Sequence, residues 1–469
     1  MNRIDHHRRG VLPLAISFVL TALLQVGIAS PAAAATNYYV SPRGSDTNPG
    51  TASQPWRTLQ RAADAAPTGA IVQVRAGTYG GFVVKRSGTS TSPITFQAYP
   101  GEVVTVAGSS TTADVIKVSR AHDIVIRGLR VTGAAASRGG AGIRIENAST
   151  RVLVEANTIY DNRSYGVSVV DSSYVTVYNN TISLNAEGVF VLRGGDGVRV
   201  TSNRIHHQDR MVVATQGGSD DHGGVGVSVV HSTGDVLVAR NAIWGNRAVS
   251  PDWGYDGGAT EIYASSNVTI EGNTMWDNRM VIETGSDGAA CSNNIFRRNV
   301  AYGATTKDVS KGMVFRCAEN MLVANNTFHQ LDVFVFDLKQ GGTAHATSIA
   351  GLRIMNNIAY QNTGKIYGIE SALPTSVKID FNLLWHRSGG TIASKVGSGS
   401  TSSMATWRSW GYDRTGAFAD PRFLNPSTRD YRVTSASPAR DHGTWAVGGF
   451  TAYPIVGPNP DIGRWEYGW

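Results

Sequence analysis

The sequence predicts an all-β fold, a single-stranded parallel β-helix closed at its start by a short capping helix. Three observations carry this. A unit of the form Gly-x-x-Val, a few polar residues, then Val-x-Val-x-x-Asn-x-Ile recurs as Gly142 to Asn157, Gly166 to Asn180 and Gly188 to Asn203. Apolar residues alternate with polar ones inside each unit, the period of a strand rather than a helix. Units end at Asn157, Asn180, Asn203, Asn241, Asn273, Asn294, Asn326, Asn357 and Asn382, at spacings of 23, 23, 38, 32, 21, 32, 31 and 25. At about 3.3 Å per strand residue, a repeat this short holds three short strands and their turns, one coil of a solenoid. A propeller blade takes roughly 40 or more residues, and the leucine framework of a leucine-rich repeat is missing. Asn tolerates left-handed turn conformations and can hydrogen-bond up a stack.

Composition sets outer bounds. Of 469 residues 41% are hydrophobic, enough for a large core, which excludes a disordered chain. Two cysteines exclude a disulfide-stapled miniature and a Cys-rich zinc protein. A formal charge of +7 with no Lys/Arg run argues against a nucleic-acid partner.

The elements follow in order. Residues 1–35 read as a signal peptide. Arg3, His6, His7, Arg8 and Arg9 precede an apolar run from Val11 to Ile28, and small residues lead to Ala35. Arg8-Arg9 also fits a twin-arginine signal. Removal of this segment takes away three Arg and one Asp and lowers the charge from +7 to +5. No later stretch is apolar enough to span a bilayer, so the mature protein is expected to be secreted, off the membrane and monomeric. Residues 36–79 form an N-terminal segment whose Pro55 to Ala66 reads as the capping helix, with Trp56, Leu59, Ala62, Ala63 and Ala66 on one face. Residues 80–387 are assigned to the β-helix. Residues 388–469 are a tail that opens with a Gly/Ser/Thr-rich surface loop, about 388–405.

The asparagine-ended coils, the opening Tyr38-Tyr39-Val40-Ser41-Pro42-Arg43-Gly44-Ser45-Asp46 with Pro55-Trp56, and the closing Asp420-Pro421-Arg422-Phe423, Asp430-Tyr431-Arg432-Val433 and Ser437-Pro438-Ala439 resemble pectin-lyase-like secreted carbohydrate-active enzymes. The resemblance implies a right-handed β-helix and a polysaccharide or oligosaccharide substrate.

Two coils are longer than the fold requires, and long inserts are usually functional. Gln208 to Gly224 and Arg247 to Gly258 leave the same edge one coil apart, so they are expected to wall a cleft. With the next two strands they gather Asp209, Asp220, Asp221, Asp252, Asp256, Glu261, Glu283 and Asp287. Glu261 and Glu283 match in register to within one residue on consecutive coils, at about 4.8 Å spacing. Paired carboxylates of this kind suit glycosidic acid–base chemistry. Glu283 is the expected general acid and Glu261 or Asp256 the nucleophile or base. Trp253, Tyr255 and Tyr263 offer ring faces to sugars, while Asp220, Asp221, His222 and Arg316 complete the expected substrate contacts. Trp276 reads as a core residue.

Alternatives stand beside this. Asp220, Asp221, Asp252 and Asp256 are hard oxygen donors and candidate Ca²⁺ ligands, although a hydrolase needs no cofactor. A calcium-dependent polysaccharide lyase would use Arg316 or Lys311 as its base. Strand-borne acids on successive coils resemble the β-helix β-xylosidase and fucosidase/xylanase-type families, whereas the Gly-Phe-Lys-Leu-like strand of calcium-dependent pectate lyases is absent. A non-catalytic glycan-binding solenoid is the third reading. Cys291 and Cys317, 26 residues apart on neighbouring coils, are expected to form a disulfide in an exported protein.

Overall fold

The computed structural model describes residues 36–135, 139–218, 220–303, 310–339, 345–448 and 455–468. The expected signal peptide lies outside the described residues. Three 13-stranded sheets wind around one core, each coil adding one strand to each sheet in chain order. The first sheet runs from Asn37–Val40 to Lys378–Asp380, the second from Phe82–Val84 to Gly399–Thr401, and the third from Gly77–Gly80 to Ala417–Phe418. Pairing within them is parallel apart from Ala393–Lys395 against Gly399–Thr401. The stacking starts earlier than residue 80, because Asn37–Val40 pairs with Ile71–Val74.

Alternation explains the core. Val152 and Val154, Val175 and Val177, Val198 and Val200, and Val236 and Val238 stack in the interior from the first sheet. Ile159, Ile182, Ile205 and Ile243 do so from the third. Each such side chain contributes about 1.5–3 kcal/mol on burial.

The unit-ending asparagines form a continuous ladder. In each step the upper Asn Oδ1 accepts both the backbone N–H and the Nδ2 of the one below, as in Asn180 to Asn203 and Asn203 to Asn241. The ladder continues through Asn273, Asn299, Asn326, Asn357 and Asn382 to Asp413. Asn294 is not a member. It accepts from Val268 N and donates to Ser265 O at a different turn, and Asn299 takes its place. The left-handed residue is also not the ladder Asn but the one before it: Ala156, Asn179, Ser202 and Arg240 have φ of 54, 54, 57 and 55°. Such a non-Gly residue costs roughly 1–2 kcal/mol, and the buried Asn bonds offset it. The glycine that opens each unit answers a different need. A Cβ on Gly188 would lie 2.5 Å from both Gly226 O and Ile205 Cγ2.

The ends are covered. The helix Leu59–Ala65 is N-capped by Thr58, whose side chain accepts from Arg61 N, and it buries Leu59, Ala62 and Ala63. Trp56 and Ala66 are buried with them. The expected loop at 388–405 holds a short antiparallel hairpin, Ala393–Lys395 with Gly399–Thr401, and runs into a helix at Met404–Ser409. Its Trp407 is fully buried and donates Nε1 to Asp413 Oδ2 at 3.0 Å, so this helix closes the far end.

Candidate active site

Each insert folds as a short antiparallel hairpin, Met211–Val213 with His222–Gly223 and Ala248–Ser250 with Gly254–Asp256. Both spring from a second ladder that fixes their roots, Asn162–Asn185–Gln208–Asn246–Asn278. The hairpins are tied to each other. Gly217 N donates to Asp252 Oδ1 at 2.8 Å, and Ser250 Oγ donates to Asp221 Oδ2 at 2.5 Å. Against the second sheet they border a small cleft, open to solvent, whose wall includes Asp221, His222, Asp256, Thr260, Glu261 and Glu283.

Glu261 and Glu283 are direct register partners on Gly258–Tyr263 and Met280–Gly285. In the same row of the sheet the earlier coils carry Arg144, Ser168, Phe190 and Ser228. The two glutamates sit in unequal surroundings. Glu283 Oε1 is 2.8 Å from Arg316 Nη1. Burial, followed by the negative charges of Glu187 and Glu283, pushes Glu261 up to about 8. Asp256 is pushed up to about 6 by burial and then by the charge of Glu283. Two nearby carboxylates disfavour each other's ionisation, which separates an acid from a base.

One participant was missed in the sequence. Glu187 opens the strand Glu187–Leu192 and is 1% exposed, and its Oε1 accepts from His222 Nδ1 at 2.6 Å. Burial works against the His222 cation, but the bond and charge of Glu187 prevail and its pKa is raised. The signal was an acid directly before a unit glycine, where Ala141, Tyr165 and Val225 stand on neighbouring coils.

Other candidates fall at the rim. Trp253 and Tyr255 are exposed on the second hairpin. Tyr263 follows Glu261 on the same strand, and its hydroxyl is 2.9 Å from His345 Nδ1. Lys311 lies on the coil after Glu283, and burial followed by the Arg279 charge pushes its pKa down. Asp209 and Asp287 turn away to Arg210 and His231. Trp276 is half-buried on the third sheet, packed against the buried cluster of Val300, Tyr302 and Tyr431. It stacks between Trp244 and Tyr302 on the third sheet, with ring centroids 4.7 and 5.9 Å away.

The four aspartates read as calcium ligands each accept a hydrogen bond from the hairpins. Asp220 accepts from Thr215 N and Oγ1, Asp252 from Gly217 N, Asp221 from Ser250 Oγ and Asp256 from Gly257 N. Among the described residues no three His, Cys, Asp or Glu side chains are grouped to hold a metal ion. Cys291 and Cys317 are paired as a disulfide, Cα atoms 5.8 Å apart. No helix among the described residues is long and apolar enough to cross a membrane.

Residues 38–372 match the family model described as the Pel9A-like, right-handed β-helix region. The chain belongs to this family. The uncharacterized protein YwoF of Bacillus subtilis (strain 168) is 26% identical over 460 residues, covering 86% of this chain and 92% of that protein. Pectate lyase PEL9 of Emericella nidulans is 30% identical over 167 residues, 35% of this chain and 37% of that one. The solved structure of XylC with xylose superposes with a TM-score of 0.56 at 12% identity, covering 83% of this chain and 87% of that one, and so shares the fold.

Proposed function

We propose that this Pel9A-like protein is a secreted glycoside hydrolase in which Glu261 is the general acid and Glu283 the ionised partner. The observation that supports it most is the in-register pair itself, with its two unequal environments. An acid near 8 still carries its proton at neutral pH, as protonation of a glycosidic oxygen requires. A carboxylate held by a guanidinium suits the nucleophile or base. These surroundings favour the reverse of the division of roles expected from the sequence.

Lyase chemistry is the second reading, favoured by Lys311. Its lowered pKa beside Glu283 and Asp256 suits proton abstraction next to a uronate carboxyl group. A glycan-panel digest separates the two. New reducing ends without the ultraviolet absorbance of an unsaturated uronate support the hydrolase. That absorbance, lost on chelation and in Lys311→Ala, would replace it with the lyase.

A further inference from the structure

Glu187 breaks the pattern of its row. Its register neighbours are Tyr165 on one side and Val225 on the other, and Tyr165 stacks on Phe190 at 4.4 Å. An acid placed against this apolar patch is fully desolvated. One oxygen accepts from His222, and the other, Oε2, is buried without a hydrogen-bond partner among the described residues. A buried carboxylate oxygen left unmatched is destabilising, so the fold alone gives no reason for a Glu here.

A latch for the first hairpin would be such a reason, but that hairpin is held by other means. Val212 packs with Tyr165 and Phe190, Arg163 Nη1 donates to Met211 O at 3.1 Å, and Arg210 pairs with Asp161 at 2.7 Å. What Glu187 does control is the imidazole. With Nδ1 committed to Glu187, the opposite ring edge, which carries Nε2, belongs to a side chain in the wall of the cleft. His222 and Glu261 line the same cleft, and Glu187 holds the ring from its Nδ1 side. The bond to Nδ1 fixes tautomer and ring plane together, the usual consequence of a carboxylate behind a histidine.

We infer that Glu187 is a positioning residue for this site: it holds the Nδ1–H of His222 and so fixes the ring with Nε2 presented to a glycan hydroxyl lying over Glu261 and Glu283. The inference rests on the glycan-cleavage reading but not on which glutamate is the acid. It assigns His222 to substrate binding and Glu187 to the orientation of His222.

The test compares wild type with Glu187→Gln, His222→Asn and the double variant on a glycan the wild type cleaves. Each single change should raise KM about tenfold, the loss of one charge-assisted hydrogen bond, with kcat changed far less. The double variant should be no worse than His222→Asn alone, because both act through one contact. Unchanged KM in Glu187→Gln with a lowered melting temperature would make the pair a latch and overturn the inference. Should Glu187→Gln not fold, His222→Asn, on the half-exposed hairpin, carries the same kinetic test. A second readout needs no turnover. The Nδ1 proton of His222 should give a far-downfield NMR resonance in wild type and in Glu261→Gln, absent from Glu187→Gln. Absence from the wild type refutes the bond. If Glu261→Gln keeps its activity, the acid assignment falls while the KM test of Glu187 still stands.

Discussion

Two stretches of the same solenoid differ in a way that separates stability from chemistry. Between Gly142 and Asn203 the coils repeat every 23 residues. Between Asn203 and Asn273 the steps grow to 38 and 32. The interior does not register the change. Asn203 N still donates to Asn241 Oδ1 at 2.9 Å, and Asn241 N to Asn273 Oδ1 at 2.9 Å, the distance found in the regular stretch. The extra residues leave at the second ladder, through Gln208 and Asn246, and return in register. On the outside everything changes. A row that carried Ser168, Phe190 and Ser228 now carries Glu261 and Glu283 under two hairpins. A β-helix can therefore hold a site of any polarity on its outer face without altering the core that supports it.

The comparison breaks most sharply at the glutamates. Glu261→Gln keeps the shape and removes the transferable proton, so kcat should fall by about 10²–10⁴. In the wild type the acid must be protonated. The alkaline limb of kcat/KM should therefore lie near 8, as read from a pH–rate profile. Wild-type turnover in Glu261→Gln would leave the swollen coils without their assigned chemistry.

The opposite result is expected one step inward. Asn241 is buried, and its side chain joins Asn203, Asn273 and Val200 through four hydrogen bonds. Asn241→Ala should lower unfolding stability by roughly 3–5 kcal/mol, measured by denaturant titration, because buried partners lose their bonds. A fall like that of a surface residue would mean that the ladder is a consequence of the stacking and not a support for it.

How much of this was legible follows from the same division. The solenoid was readable because its constraints repeat: an interior valine, a glycine with no room for a Cβ and a ladder Asn recur on the coils from Gly142 to Asn241. Errors came where one instance had to be chosen from two similar ones, as with Asn294 and Asn299, both buried and both hydrogen-bonded across coils. The pair Glu261–Glu283 was readable because strand register is arithmetic. The division of roles between them was not, since it depends on Arg316 from the next coil and on Glu187 from two coils before Glu261. Composition also cannot tell a metal donor from an acid that caps its own loop, as Asp220 does for Thr215.

A smaller effect sharpens the contrast through pH. The folded chain holds the Glu261 proton up to about 8, against an ordinary value of 4.5. Between those values the folded state binds more protons than the unfolded one, so this residue makes stability fall as pH rises across the window. Glu261→Gln removes that dependence. Melting curves of the two proteins should converge at the acidic end and separate towards pH 8 with the variant the more stable. Parallel curves across the window would show that Glu261 titrates normally and would remove it as the acid.

The smallest effect belongs to the hairpin rim. Trp253 is 62% exposed on the second hairpin, and its contact in the fold is a backbone N–H donated to Ser250 Oγ at 3.2 Å. That bond survives truncation of the ring. Trp253→Ala should therefore leave the melting temperature where it is. If the indole lies against a sugar beyond the cleft, KM for a long glycan should rise several-fold, in line with about 0.5–1.5 kcal/mol for a ring contact, and kcat should stay the same. A short substrate that fills the cleft alone should show no change. Equal KM values for long and short glycans in wild type and variant would confine recognition to the cleft and make the exposed ring an ordinary surface residue.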